Sequence, residues 1–291
     1  MTIAIHVQPR GRALRRSPLL AMLALASAGA LAGTPINERA AADAAGRVEI
    51  SNTAGTVDVT AWARNEVEVT GELGKGTDRL EFARTGNVTR VKVILPSKSS
   101  RVESSKLVVK VPAGSGLAVN TVSADIGVRG LRGSQRLQSV SGDIRTEAAT
   151  EDVECKTVSG DVSIAGSGQR SLLTVTTVSG DAAVTKVAGE VNGNTVSGDF
   201  AISMSETSRS RLRSTSGNVG LTGRLAADAR LDIESISGDV RLQLAGPVGA
   251  EFDVSTFNGQ IRNCFGPDPV RTSEYAPGRE LRFREGSGAA L

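Results

Sequence analysis

Six aspartates recur at nearly even spacing: Asp125, Asp143, Asp161, Asp181, Asp199 and Asp239, interrupted by Asn218 and followed by Gln260. Carboxylates in such a row could coordinate a cation, and Ca²⁺ is the natural candidate because it takes oxygen ligands. Two carboxylates also suffice for glycoside cleavage. A third role is local, since an aspartate can fix a turn by hydrogen-bonding nearby backbone amides. No aspartate of the row is set apart by its context, whereas acid–base cleavage needs one carboxyl raised and another lowered in pKa. The row also lacks the Gly-Gly-x-Gly-x-Asp spacing of Ca²⁺-binding β-rolls. Turn fixing is the leading reading, with a cation ladder beside it and carbohydrate cleavage kept as the alternative.

A second group is basic. "SRSRLRS" at 208–214 places Arg209, Arg211 and Arg213 on one face of a strand. They could dock an acidic glycan, a lipid headgroup or another partner, or form an ordinary solvated strand face. The only histidine is His6, inside the leader described below. Without it, Ser-His and Cys-His nucleophile pairs and histidine metal sites are excluded. Cys155 and Cys264 are the only cysteines, too few for a disulfide scaffold or a zinc site. No cofactor is implied.

What positions these residues is a repeat. "QSVSGDIRTE", "KTVSGDVSIAG", "TTVSGDAAVT", "NTVSGDFAIS" and "ESISGDVRLQ" share one frame. Aligned on the glycine, the units centre on Ala124, Gly142, Gly160, Gly180, Gly198, Gly217, Gly238 and Gly259, in steps of 18 to 21 residues. A period near 20 marks a solenoid or an array. Apolar residues fall five before the glycine (Leu137, Cys155, Val175, Leu212) and two and four after it (Ile144, Val162, Ile164, Phe200). They also fall two before it (Val122, Val140, Val158, Val178, Val196), and that column is read as inward, with Thr121/Ser123, Thr157/Ser159, Thr177/Ser179 and Thr195/Ser197 outward. Alternation at period 2 means strands with one buried face. The glycine supplies a corner with φ > 0, and the second arc, as in "TEAATED" and "AGSGQRS", absorbs the variation in length.

The expected fold is all-β: a single-domain β-solenoid of stacked two-strand coils of about 18–21 residues with an N-terminal strand-rich cap. Eight coils make seven steps of about 4.8 Å, roughly 34 Å of solenoid. "RVEISNTAGTVDVTAW" fits the same frame on Gly55 as a first coil, with Val48, Ile50, Val57 and Val59 inward.

The N-terminus is a different kind of segment. Arg10, Arg12, Arg15 and Arg16 precede "PLLAMLALASAGALAG", a run too short to span a bilayer comfortably, and Ala30 and Ala32 form a small-x-small cleavage site. This is the pattern of a secretory signal peptide cut near Ala32. The chain carries 34 basic and 31 acidic residues; without the leader's four arginines there are 30 against 31, a net charge of −1. No electrostatic case for nucleic acid survives.

"KLVVKVPAGSGLAVNTVSADIGV" at 106–128, followed by serial "TVSGDV" motifs, resembles the bacterial putative-adhesin family of β-strand-repeat envelope proteins, a toast-rack-like domain of unknown function. The resemblance covers residues 46–288. It implies an exported protein with an adhesion or envelope-stress role and no established enzymatic activity, so no catalytic residue carries over. In similar proteins the segment after "ELRFREGSG" continues into another strand and glycine corner; with Leu291 ending the sequence, the last coil is expected to be missing or replaced.

The expected organisation is a signal peptide (1–32), a linker (33–46), an N-terminal β region including a first coil (47–112), solenoid repeats (113–263) and a C-terminal loop with a capping strand (264–291). The expected function is an exported, non-enzymatic envelope protein, periplasmic or at the cell surface. It would present a repetitive surface to an envelope partner, glycan or other surface, with no transmembrane segment in the mature chain. The alternative is a carbohydrate-active enzyme, a polysaccharide lyase or hydrolase on a β-helix. Cys155 should be a free, buried thiol. Cys264, five steps and roughly 24 Å away, lies beyond the reach of an intramolecular disulfide.

Overall fold

Alternating apolar and polar residues dominate this chain, and the computed structural model consists of strands. It describes residues 33–97, 102–264, 266–275 and 277–286, together with the backbone of 289–290. The leader and its cleavage point near Ala32 lie outside the described residues. The described strands form one hydrogen-bonded sheet of 21, and no helix occurs among the described residues. The all-β expectation therefore holds.

The N-terminal region contains β1 (Thr34–Ala41), β2 (Arg47–Trp62), β3 (Glu66–Leu73), β4 (Arg79–Thr85), β5 (Val88–Ile94) and β6 (Ser105–Pro112). β2 is a whole repeat: Val48, Ile50, Val57 and Val59 are buried, with Gly55 at φ +114° between the two pairs. The first half of β2 pairs in parallel with β5 and its second half with β6. β6 pairs antiparallel with β3, β3 with β1, and β4 with β5. These strands cover an edge whose amides would otherwise lack partners.

The stretch 33–46 is not simply a linker. Its "TPINERAA" is β1, paired with β3 from Thr34↔Leu73 to Ala41↔Glu66. Only Ile36 of β1 is fully buried, so the alternation that marks a strand is absent and the free edge of β3 supplies the order instead.

The repeats follow as β7 (Gly116–Arg129), β8 (Gln135–Gln138), β9 (Ile144–Ala148), β10 (Val153–Lys156), β11 (Val162–Gly166), β12 (Arg170–Thr176), β13 (Ala182–Thr195), β14 (Phe200–Ser214), β15 (Val219–Gly223), β16 (Leu225–Ser235) and β17 (Val240–Leu244). They build two parallel ladders. The first runs through the start of β7, β8, β10, β12, the ends of β13 and β14, and β16. The second runs through the end of β7, β9, β11, the starts of β13 and β14, β15 and β17. The glycine alignment gives the register directly: Leu137, Cys155, Val175, Gly193 and Leu212 are successive partners in one ladder, and Ile126, Ile144, Val162, Ala182, Phe200 and Val219 in the other. The non-glycine members of these rows are at most 2% exposed.

The core compensates across its rows. Phe200 follows Ala182 in one ladder, and in the other Gly193 stands where its neighbours have Val175 and Leu212. A Cβ at Gly193 would lie 2.9 Å from both the Phe200 ring and the Leu212 side chain, so the phenyl ring fills the space that the glycine leaves.

Two expectations are corrected. The valines two before each glycine face outward: Val122, Val140, Val158, Val178 and Val196 are 40–48% exposed, while Thr121, Thr157, Thr177 and Thr195 are buried. The alternation slips at the bend, because two consecutive residues, Val and Ser, both face solvent there. The eighth unit also fails to form a coil. β18 (Ala250–Thr256) pairs antiparallel with β20 (Arg279–Glu285), which also holds β19 (Val270–Arg271). β21 (Ala289–Ala290) pairs in parallel with both β16 and β18. Phe257 is 87% exposed and residues 260–263 are not a strand. Stacking of Phe252 on Phe283, centroids 4.6 Å apart, gives this end a small core of its own with Ala229 and Ala250. The regular repeats therefore stop at β17 and not at residue 263.

Phe200→Ala should lower the unfolding free energy by about 3–5 kcal/mol. Urea denaturation followed by far-UV circular dichroism measures this, and a loss below 1 kcal/mol would mean that the Gly193 gap is filled by something else.

Candidate functional site

The corner "Thr-Val-Ser-Gly-Asp" is the most repeated chemical feature of the chain, and nearly every group in it is occupied by the backbone. The residue three before the glycine points inward and its hydroxyl accepts the glycine N–H: Ser139 from Gly142 (2.8 Å), Thr157 from Gly160 (3.0 Å), Thr177 from Gly180 and Thr195 from Gly198 (both 2.9 Å). The valine carbonyl accepts the serine N–H of the next unit, as in Ser141 to Val122 and Ser179 to Val158, both 2.8 Å.

The glycine is needed for closeness more than for its φ. Of the corner glycines only Gly55 and Gly238 have φ in the left-handed range. A Cβ at Gly160, Gly180, Gly198 or Gly217 would lie well inside 3.0 Å of the preceding corner glycine's carbonyl oxygen, a separation that real Cβ atoms essentially never show.

The aspartates act between units. The backbone N–H of Asp143 donates to Oδ1 of Asp125 (2.9 Å), that of Asp161 to Asp143 (3.0 Å), and those of Asp181 and Asp199 to Asp161 and Asp181 (both 2.9 Å). Asn218 continues the chain: its N–H donates to Oδ1 of Asp199 (2.7 Å), and its own Oδ1 accepts from Asp239 (2.9 Å). Its Nδ2 also donates to the second oxygen of Asp199 (3.2 Å), which a seventh carboxylate could not do. Neighbouring carboxylates about 4.8 Å apart cost about 0.9 kcal/mol in water before salt screening. A hydrogen bond to a charged acceptor contributes about 1.5–3 kcal/mol, less where exposed, so the row is tolerable without a cation. Among the described residues no three Asp, Glu, His or Cys side chains converge as metal ligands.

The arginines also have partners. Arg211 and Arg213 on β14 face Asp232 (3.2 Å) and Glu234 (2.9 Å) on β16, and Arg209 approaches Glu190 on β13 (3.9 Å). The stripe is basic in sequence and paired with acids in space. Exposed pairs of this kind contribute little to stability.

Cys155 is fully buried and unpaired, and desolvation pushes its thiol up to about 12. Cys264 is exposed and unpaired. Glu68 was missed from sequence. It is buried on β3 between Lys110 of β6 (2.8 Å) and Arg39 of β1, and the Lys110 ammonium first, then the Arg39 guanidinium, hold its carboxyl below the usual range. Lys110 also lies over the Trp62 ring, 5.4 Å from its centroid, while the indole N–H donates to the Glu66 carbonyl (2.8 Å). Glu68 reads as an outward strand residue, and the side chains of the flanking strands β1 and β6 cover it.

Comparison with known proteins gives a family model described as Toastrack DUF4097, which matches residues 34–256. Solved structures that match include a "putative adhesin" from Bacteroides fragilis NCTC 9343, 12% identical, with 73% of this chain and 97% of that chain covered and a TM-score of 0.49. Another "putative adhesin", from Parabacteroides merdae ATCC 43184, is 13% identical over 74% of this chain and 97% of that one, with a TM-score of 0.44. A "putative lipid binding protein" from Parabacteroides distasonis ATCC 8503 is 16% identical over 74% and 98%, also with a TM-score of 0.44. A comparison with curated proteins finds no match.

Gly160→Ala should destabilise the chain severely, because two stacked backbones must separate to admit a methyl group. Asp161→Ala should cost about 1–2 kcal/mol and Asp161→Asn less, since the amide oxygen still accepts the Asp181 N–H. Thermal unfolding of the three variants tests this order; equal losses for Asn and Ala would refute the acceptor role. For the thiols, a thiol reagent should label Cys264 in the native protein at neutral pH and Cys155 only after unfolding. Native labelling of Cys155 at a comparable rate would contradict its burial.

Proposed function

Because the chain belongs to the Toastrack DUF4097 family, we propose that it is an exported, non-enzymatic module of the bacterial cell envelope that binds through a repetitive β-solenoid surface, in the manner of an adhesin. Residues 1–32 direct it out of the cytoplasm, 47–112 begin and cap the solenoid, and the coils from β7 to β17 form its body. Among the described residues no helix is long and apolar enough to cross a membrane.

The observation that carries this reading is the outward valine row. Val122, Val140, Val158, Val178 and Val196 expose 40–48% of their surface in five successive units, with an exposed serine beside each. Soluble proteins scatter exposed apolar residues singly, whereas a contiguous row marks an interaction surface. The polar groups around it support binding over catalysis. The buried hydroxyls and the carboxylates hold backbone amides, and no imidazole stands in the mature chain. A surface of identical side chains at about 4.8 Å intervals suits an extended partner that can engage many weak contacts at once.

Replacing Val140, Val158 and Val178 together by serine should leave the thermal midpoint within a few degrees, since none is buried, and reduce retention of the purified protein on envelope fractions at least tenfold. Unchanged retention would remove the ridge from the binding surface. Turnover in a polysaccharide panel that disappears in Asp161→Asn would replace the binding reading with the enzymatic one.

A further inference from the structure

A second surface lies on the outward face of the first ladder. There β5, β2, β7 and β8 run side by side in parallel, and a hollow of about 450 Å³ opens between their side chains and the β4 arm of the hairpin. It is a shallow surface cleft, open to solvent and lined mainly by polar side chains. The register explains the hollow. Arg90, Glu49, Ala118 and Arg136 are successive partners across the four strands, so a single methyl stands in a row of long side chains. Ala118 is only 6% exposed although it faces outward, because its neighbours rise around it. It is the floor.

The walls are polar and unbalanced in charge. Arg47, Arg90, Lys92 and Arg136 line the hollow against two acids, Glu49 and Glu81. Glu49 is shared, lying 3.2 Å from Arg47 and 3.1 Å from Arg90. Arg136 reaches outside the lining to Glu154 (2.7 Å), which also takes Lys156. Lys92 stands directly across the β4–β5 ladder from Glu81 and is not drawn into an ion pair with it within 4.0 Å. The next row adds neutral hydrogen-bonding groups, Ser51, Asn120 and Gln138. Guanidinium groups match carboxylate and phosphate oxygens in a fork, and amides and hydroxyls match sugar hydroxyls. No aromatic ring lines the hollow for a nucleobase to stack on, and no apolar wall beyond Ala118 would take an acyl chain.

We propose that this hollow binds an acidic saccharide, a sugar unit carrying a carboxylate or phosphate. The anion sits between Lys92, Arg90 and Arg136, and the ring hydroxyls meet Ser51, Asn120 and Gln138. Asn120 and Gln138 stand two residues before Val122 and Val140, so the hollow borders the start of the valine ridge, but its residues are different and it does not depend on the ridge being adhesive.

Calorimetric titration of the purified protein tests the proposal with three probes: tetragalacturonate, a neutral glucan tetrasaccharide and glucose 6-phosphate. Either anionic probe should bind, more weakly as salt rises, and the neutral one should not. Lys92→Glu should weaken anion binding at least tenfold. Ala118→Leu, which fills the floor without changing charge, should do the same. Arg241→Glu, an equal charge reversal on β17, should change it less than twofold. Binding of tetragalacturonate alone would mark a carboxylate site, and binding of glucose 6-phosphate alone a phosphate site. The proposal is overturned if neither anionic probe binds, if the neutral glucan binds equally, if Ala118→Leu binds like the parent, or if Arg241→Glu weakens binding as much as Lys92→Glu.

Discussion

Successive corners of this protein approach so closely that their glycines leave no room for a methyl group. At Gly160, Gly180, Gly198 and Gly217 each glycine sits over the carbonyl of the glycine before it. The ladders on both sides of the corner keep one register because the corners themselves are stacked. Alanine is accommodated at Ala124, where the strand below is β2 and its partner is Gly55. Close approach at the corner thus sets the spacing on which the core rows, the aspartate row and the valine row all depend.

The polar residues of the motif follow from the same constraint. A tight bend withdraws backbone amides from the ordinary ladder, and an unpaired buried amide is costly. The inward Thr or Ser takes the glycine N–H, and the outward Asp takes the N–H of the next unit. The carboxylates that recur like a row of ligands each serve as a backbone partner of the next unit. Asn218 fits the same geometry and separates Asp199 from Asp239, so no two carboxylates adjoin there. With the polar groups occupied, the valines and serines are the residues left to meet solvent, and the surface they form is repetitive because the backbone beneath it is.

The ends obey different rules. At the N-terminal end β5 and β6 continue the two ladders, and antiparallel strands then cover them. At the other end β21, β18 and β20 extend the first ladder, while the second stops at β17, where Val240 is 48% exposed against 1% for Val219 one unit earlier. The hollow over Ala118 belongs to the N-terminal end, where the β4–β5 hairpin turns a flat face into a concave one.

The period near 20 and the columns around Leu137, Cys155, Ile144 and Val162 could be read from sequence, because a buried face imposes strict alternation and a stacked register imposes equal spacing. So could the burial of Cys155, which occupies the column of Leu137 and Val175. The facing of residues at the bend was not legible. There two neighbours point the same way, a parity slip that backbone geometry creates and side-chain pattern does not record. β1 was hidden for a related reason: its order comes from the edge of β3 and not from its own alternation. The partners of Glu68 and of Arg209, Arg211 and Arg213 come from strands distant in sequence, so only the assembled ladders determine which charges are left uncompensated. Sequence determined the unit, because burial leaves a periodic trace. Tertiary structure decided what each unit shows to solvent, because exposure at a corner depends on how closely the next backbone lies.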